Sequence, residues 1–164
     1  CWDVHTFVVP VLGHERGFSA SVIGLILGAF AVAATAIRGV LPLVAARLQE
    51  WAVIMGAMLV TMVLLFVYPM LQSALGMGLC SILLGFSLGV VQPMVMSTLH
   101  QITPEHRHGE ALGLRMMSIN ASSVLMPLVF GSAGAAVGVK AVFWAVSSMV
   151  GAGSRLAWRM KPRD

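Results

Sequence analysis

Residues 21–43 read SVIGLILGAFAVAATAIRGVLPL, a stretch in which Arg38 is the one charged side chain. A helix needs about 20 mostly apolar residues to cross the hydrocarbon core of a bilayer. This run is long enough to span. It is also too continuous for the short alternating segments of a membrane β-barrel. Four further runs of the same kind follow: Trp51 to Tyr68, Leu71 to Leu99, Ala111 to Ala136 and Val139 to Trp158. Ahead of them, Cys1 to Leu12 is apolar over about half a span and reads as the end of a helix begun upstream.

Composition agrees with lipid as the solvent. Hydrophobic residues make up 59% of the 164 positions and charged residues 10%. An ordinary soluble domain is roughly a quarter charged. A chain this short would leave much of that apolar area facing water. The net charge of +4 comes from Lys and Arg scattered between apolar blocks and gathered at the C-terminus. Without aromatic interleaving or zinc spacing, it does not indicate nucleic acid. Cys1 and Cys80 form neither a ligand pattern nor a disulfide framework. No signal peptide is visible. The expectation is an all-α polytopic membrane protein, residues 1–164 forming a single transmembrane domain of about six helices.

The links are short and polar: Gly13 to Ser19, Arg47 to Glu50, Tyr68-Pro69, Thr103 to Glu110, and Gly138 to Lys140. Arg47, Arg107 and the tail cations Arg155, Arg159, Lys161 and Arg163 fall on one side, against Arg16 and Lys140 on the other. The richer side is expected to be cytoplasmic, in the plasma (inner) membrane, with the C-terminus inside. Pro10, Pro42, Pro93 and Pro127 lie within spans, where neighbouring groups can satisfy the carbonyls they free. Small-residue pairs at Gly24/Gly28, Gly85/Gly89 and Gly109/Gly113 suggest close helix packing. Displacing the chain by about 89 residues lays Gly24-Leu25 over Gly113-Leu114 and matches the element lengths of two inverted three-helix repeats.

Three stretches resemble the major facilitator superfamily. Gly17 to Gly24, GFSASVIG, is similar to that family's external link between helices seven and eight. Thr103-Pro104 through Gly109-Glu110-Ala111-Leu112-Gly113-Leu114 is similar to the cytoplasmic link between helices ten and eleven. There His108 replaces the usual arginine, and Arg107 stands one place earlier. Pro42 to Arg47 resembles a decayed loop motif Gly-x-Leu-Ala-Asp-Arg, in which Ala45 and Arg47 match but Ala46 replaces the aspartate. The resemblance implies the C-terminal half of a transporter, helices seven (truncated) to twelve. A missing N-terminal six-helix half of the same protein would be its partner, with the lipid bilayer and a small-molecule substrate.

Charge inside a bilayer is costly and marks candidate sites. Asp3 lies about ten residues before the outer end of its helix, roughly 15 Å deep at about 1.5 Å per residue. A carboxylate there could take up and release protons, and His5 is a second proton-coupling candidate. Gln92, Arg115 and Asn120 are candidates for lining a substrate cavity. Arg38, Arg47, Arg107 and Glu110 are candidates for gating at the cytoplasmic side. His100, His106 and His108 lack the acidic or cysteine partner that would complete a metal site, and no cofactor is implied. The leading reading is proton-coupled transport of a small solute by alternating access, not an enzyme. Two alternatives stand beside it. One is a self-contained six-helix channel or assembly subunit. The other is an intramembrane serine protease using Ser87, because Gly85 to Gly89 (GFSLG) fits the hydrolase pattern G-x-S-x-G. His5 would be the histidine for that serine.

Overall fold

Hydrocarbon offers backbone N–H and C=O groups no partner, so each apolar run must satisfy its own by coiling into a helix. The computed structural model describes residues 2–45 and 49–159. It contains α1 (Trp2–Glu15), α2 (Ala20–Ala45), α3 (Glu50–Val67), α4 (Ala74–Ile102), α5 (His108–Val137) and α6 (Val139–Arg159). Short 3-10 turns occupy Tyr68–Met70 and Glu105–Arg107. No strand occurs among the described residues. Within those residues, α2, α3, α4 and α5 are long and apolar enough to cross a membrane. The fold is all-α and polytopic, as expected. Arg47 lies outside the described residues.

The boundaries follow local chemistry. Ser73 caps α4, its hydroxyl accepting from the Gly76 amide at 3.1 Å, which satisfies one of the donors a helix start leaves unpaired. α5 begins at His108, inside the stretch read above as a polar link. Glu110 sits in its first turn, where a carboxylate favours the positive end of the helix dipole. Arg107 donates to that carboxylate at 2.9 Å, so both of these gating candidates form an exposed surface pair. The α5–α6 link is Gly138 alone, at φ +88°, a backbone conformation that other residues adopt only under strain.

Two of the glycines bring one helix against the backbone of another. A Cβ on Gly85 would come within 2.5 Å of the Phe30 carbonyl oxygen, and one on Gly89 within 2.8 Å of that of Ala34. Small residues are what let membrane helices approach this closely. α2 and α4 are therefore joined along a seam of Gly85 and Gly89 against Ala33 and Ala34. Gly24, Gly28, Gly109 and Gly113 have nothing within that reach, so their spacing serves no contact among the described residues.

α3 lies between α4 and α6, while α1 touches α2, α5 and α6. Exchanging the first three helices for the last three turns the α2–α4 contact into α1–α5, and α3–α4 into α1–α6. The α3–α6 contact maps onto itself. Two three-helix repeats would produce that exchange for these pairs, whereas the α1–α2 and α5–α6 contacts have no counterpart of matching extent. The core gathers Val9 and Leu12 of α1, Phe30 of α2, Leu65 of α3, Leu84 of α4 and Phe143 of α6.

Gly85→Ala is expected to destabilise the bundle by about 1–3 kcal/mol through overpacking. Gly24→Ala should be tolerated. Thermal unfolding of the two variants in detergent checks this, and equal melting temperatures would contradict the seam.

Candidate functional site

A cavity of about 960 Å³ opens among the helices, near the top of the size range of small-molecule sites. Each helix contributes one face to it. α4 presents Leu88, Val91, Gln92 and Val95, spaced i, i+3, i+4, i+7 as one side of a helix requires. α5 presents Arg115, Ser118, Ile119, Ser122 and Ser123, the same pattern extended to i+8. α3 adds Ile54, Met58 and Thr61, and α6 adds Val150. Trp2 and Asp3 enter from α1, and Arg38 from α2.

The polar groups in this mostly apolar space have definite partners. Arg115 Nη2 donates to Gln92 Oε1 at 2.8 Å, and its Nη1 contacts Met96 Sδ at 3.8 Å. Asp3 Oδ1 accepts from Ser123 at 3.5 Å. The Arg38 guanidinium lies 5.5 Å from the ring centre of Trp2, within cation–π range. Its Nε donates to the Gly89 carbonyl at 3.5 Å. Gly89 stands four residues before Pro93 on α4, and proline has no N–H to bond that carbonyl. The orphaned oxygen is the one Arg38 occupies.

Asp3, the proton-coupling candidate, and Gln92 and Arg115, the cavity candidates, thus line one space. Arg38 joins them in the cavity, whereas its charge and helix position pointed toward gating. Asn120 is exposed and lies off the cavity lining. Its depth on α5 is right, but it follows Ile119 by one residue, which turns it about 100° around the helix. Ser118, Ser122 and Ser123 occupy the lining instead, and their i, i+4, i+5 spacing from each other was a readable signal.

His5 is 1% exposed and faces the core rather than the cavity. Its Nε2 and the Tyr68 hydroxyl each lie 2.9 Å from Ser81 Oγ, and its ring stacks on Phe30 at 4.1 Å. A single hydroxyl links the two partners, running from tyrosine to imidazole or the reverse. His5 Nδ1 is buried with no partner among the described residues. Ser87, the hydrolase-like serine, donates to the Ala57 carbonyl at 2.7 Å and lies 2.9 Å from Thr61 Oγ1. The histidine that could have activated it is bonded to Ser81 instead. His100 and His108 pack edge-to-face at 4.9 Å, and His108 Nε2 sits 2.7 Å from the Thr103 carbonyl. No group of three metal-binding side chains forms among the described residues.

Two further charges fasten the ends of the bundle. At one end Arg16 donates to the Pro69 carbonyl at 2.7 Å and contacts Met77 Sδ at 3.1 Å. At the other, Glu50 accepts from Ser97, from Thr98 at 3.1 Å and from Gln101 at 3.0 Å. Glu50 stands in the first turn of α3, so its carboxylate also meets the positive end of that helix. Its role was not visible beforehand, because its partners lie about 50 residues away on α4.

Against known proteins, the family model described as Major Facilitator Superfamily matches residues 1–164. No curated protein and no solved structure matches the chain.

Pro93→Ala would supply the missing N–H to the Gly89 carbonyl and displace Arg38. Higher thermal stability is expected, together with faster modification of Arg38 by phenylglyoxal. Unchanged reactivity would show that the carbonyl does not hold the guanidinium. A fluorophosphonate probe is expected to leave Ser87 unlabelled, and labelling lost in Ser87→Ala would restore the protease alternative.

Proposed function

This chain belongs to the major facilitator superfamily, and from that membership we propose that it carries a small solute by alternating access, driven by protons. The family are membrane transporters, and the helices supply the integral membrane body such a function needs. The observation that carries the finer reading is the cavity. Asp3, Arg38, Gln92 and Arg115 come from four different helices and converge where apolar side chains otherwise prevail. Intramembrane charges that face a cavity mark substrate and ion paths more often than structural posts.

Asp3 is the proton carrier in this proposal. Among the described residues it is the one carboxylate in the cavity lining, and it accepts from a neutral hydroxyl at 3.5 Å. That bond leaves it able to exchange a proton without breaking an ion pair. His5 faces the core and takes no part. The cavity is completed by a second six-helix half, which the exposed apolar side chains of α5 support: Leu114 is 66% and Leu128 67% exposed. The two halves rock around the midplane site. The Lys and Arg distribution supports a C-terminus in the cytoplasm.

Asp3→Asn in the intact protein, reconstituted into liposomes, is expected to abolish uptake driven by a pH gradient while leaving exchange of substrate across the membrane. Undiminished gradient-driven uptake would remove Asp3 from the coupling step.

A further inference from the structure

We propose that the cavity binds a monovalent organic anion, a carboxylate on an apolar body, held between Arg38 and Arg115. The proposal rests on the transport reading for its setting and adds the chemical class of the substrate. Both guanidiniums are tied to one short stretch of α4: Arg38 to the Gly89 carbonyl and Arg115 to the Gln92 side chain. Those anchor residues are three apart, about 4.5 Å along the axis and on one face of the helix. The two cations therefore converge on a common region.

Neither is neutralised. The ion pair present among the described residues is Arg107–Glu110, outside the cavity. Both arginines instead bond neutral acceptors, a carbonyl and an amide. A guanidinium carries five N–H donors. Arg38 uses its Nε alone, and Arg115 uses its two terminal nitrogens once each. The remaining donors are free for a ligand with acceptor oxygens, and a guanidinium bonds most strongly to an acceptor that carries negative charge. Arginine matches the two oxygens of a carboxylate with two parallel bonds.

Among the described lining residues two guanidiniums stand against one carboxylate, Asp3, an excess that favours a ligand with a single negative charge. The rest of the wall sets the body of the ligand. Ile54, Met58, Leu88, Val91 and Val95 offer apolar contact, which suits a hydrocarbon or aromatic group better than a small inorganic ion. Trp2, already stacked by Arg38, adds an aromatic face.

The test uses the intact protein in lipid nanodiscs and three probes of one shape: hydrocinnamate, its neutral amide hydrocinnamide, and the cation phenylpropylamine. Hydrocinnamate is expected to bind at least about tenfold more tightly than either of the others, the size of one lost hydrogen bond to a charged group. Arg38→Gln and Arg115→Gln should each remove about that factor, while Arg38→Lys and Arg115→Lys, which keep the charge, should lose less. Equal binding of the amide or amine would overturn the proposal. So would an anion preference that survives both glutamine variants in monodisperse protein, or failure of all three probes to bind. Uptake of phenylpropylamine driven by a pH gradient, with hydrocinnamate excluded, would leave the transport reading standing and defeat this one. Arginine-dependent binding of hydrocinnamate with no solute carried would do the reverse.

Discussion

Hydrocarbon cannot form hydrogen bonds, so every polar group in this chain must find its partner within the protein. Among the described residues the interior obeys that constraint at every buried side-chain nitrogen and oxygen but His5 Nδ1. Ser87 and Thr61 bond each other, Ser147 bonds the Met62 carbonyl at 2.7 Å, and Ser81 serves both His5 and Tyr68. In each case a small hydroxyl on one helix meets a backbone carbonyl or a polar side chain on another. Such bonds contribute modestly in membranes, on the order of 0.6 kcal/mol each. Their larger effect is to fix which helix faces which. The seam of Gly85 and Gly89 works with them by bringing α2 and α4 into backbone contact.

Against that background, the cavity differs in kind. Its arginines have partners, yet the partners are neutral, and Asp3 is held by a single long bond from a serine. Outside the cavity, Glu50 receives three side-chain donors, and Arg16, like Arg115, bonds a neutral oxygen and a methionine sulfur. The same residue types thus do two jobs. At the ends of the bundle a charge fastens helices to one another. In the concave space its unused donors can meet a solute.

Much of the architecture was legible because membrane spans depend on run length and hydropathy, which are local properties. The helices start and stop within a few residues of the apolar runs. α4 is displaced by three residues at each end, and α5 begins three residues early, because Glu105 to Glu110 supplies a 3-10 turn and a first helical turn rather than an open link. The site was legible in part. Asp3, Gln92 and Arg115 stood out as polar residues in apolar sequence. Asn120 stood out for the same reason but points away, since depth along a helix says nothing about its azimuth. That Arg38 lines the cavity is not legible, because its anchor is a backbone atom of another helix and no pattern around residue 38 announces that. His5 needed Ser81, 76 positions away, before its place in the core could be recognised.

The pairing of Pro93 with the Gly89 carbonyl has a consequence for how the sequence can drift. Side-chain anchors disappear with a single codon change. A carbonyl oxygen belongs to every amino acid, so no replacement at position 89 deletes the acceptor, although bulk there would disturb the seam. What keeps the oxygen available is an imino acid one turn later, where any other residue would reclaim it for the helix. The seat of Arg38 is thereby guarded by two positions of opposite character, one unable to grow and the other unable to donate. Variation elsewhere along α4 can reshape the chamber while that cation stays where it is.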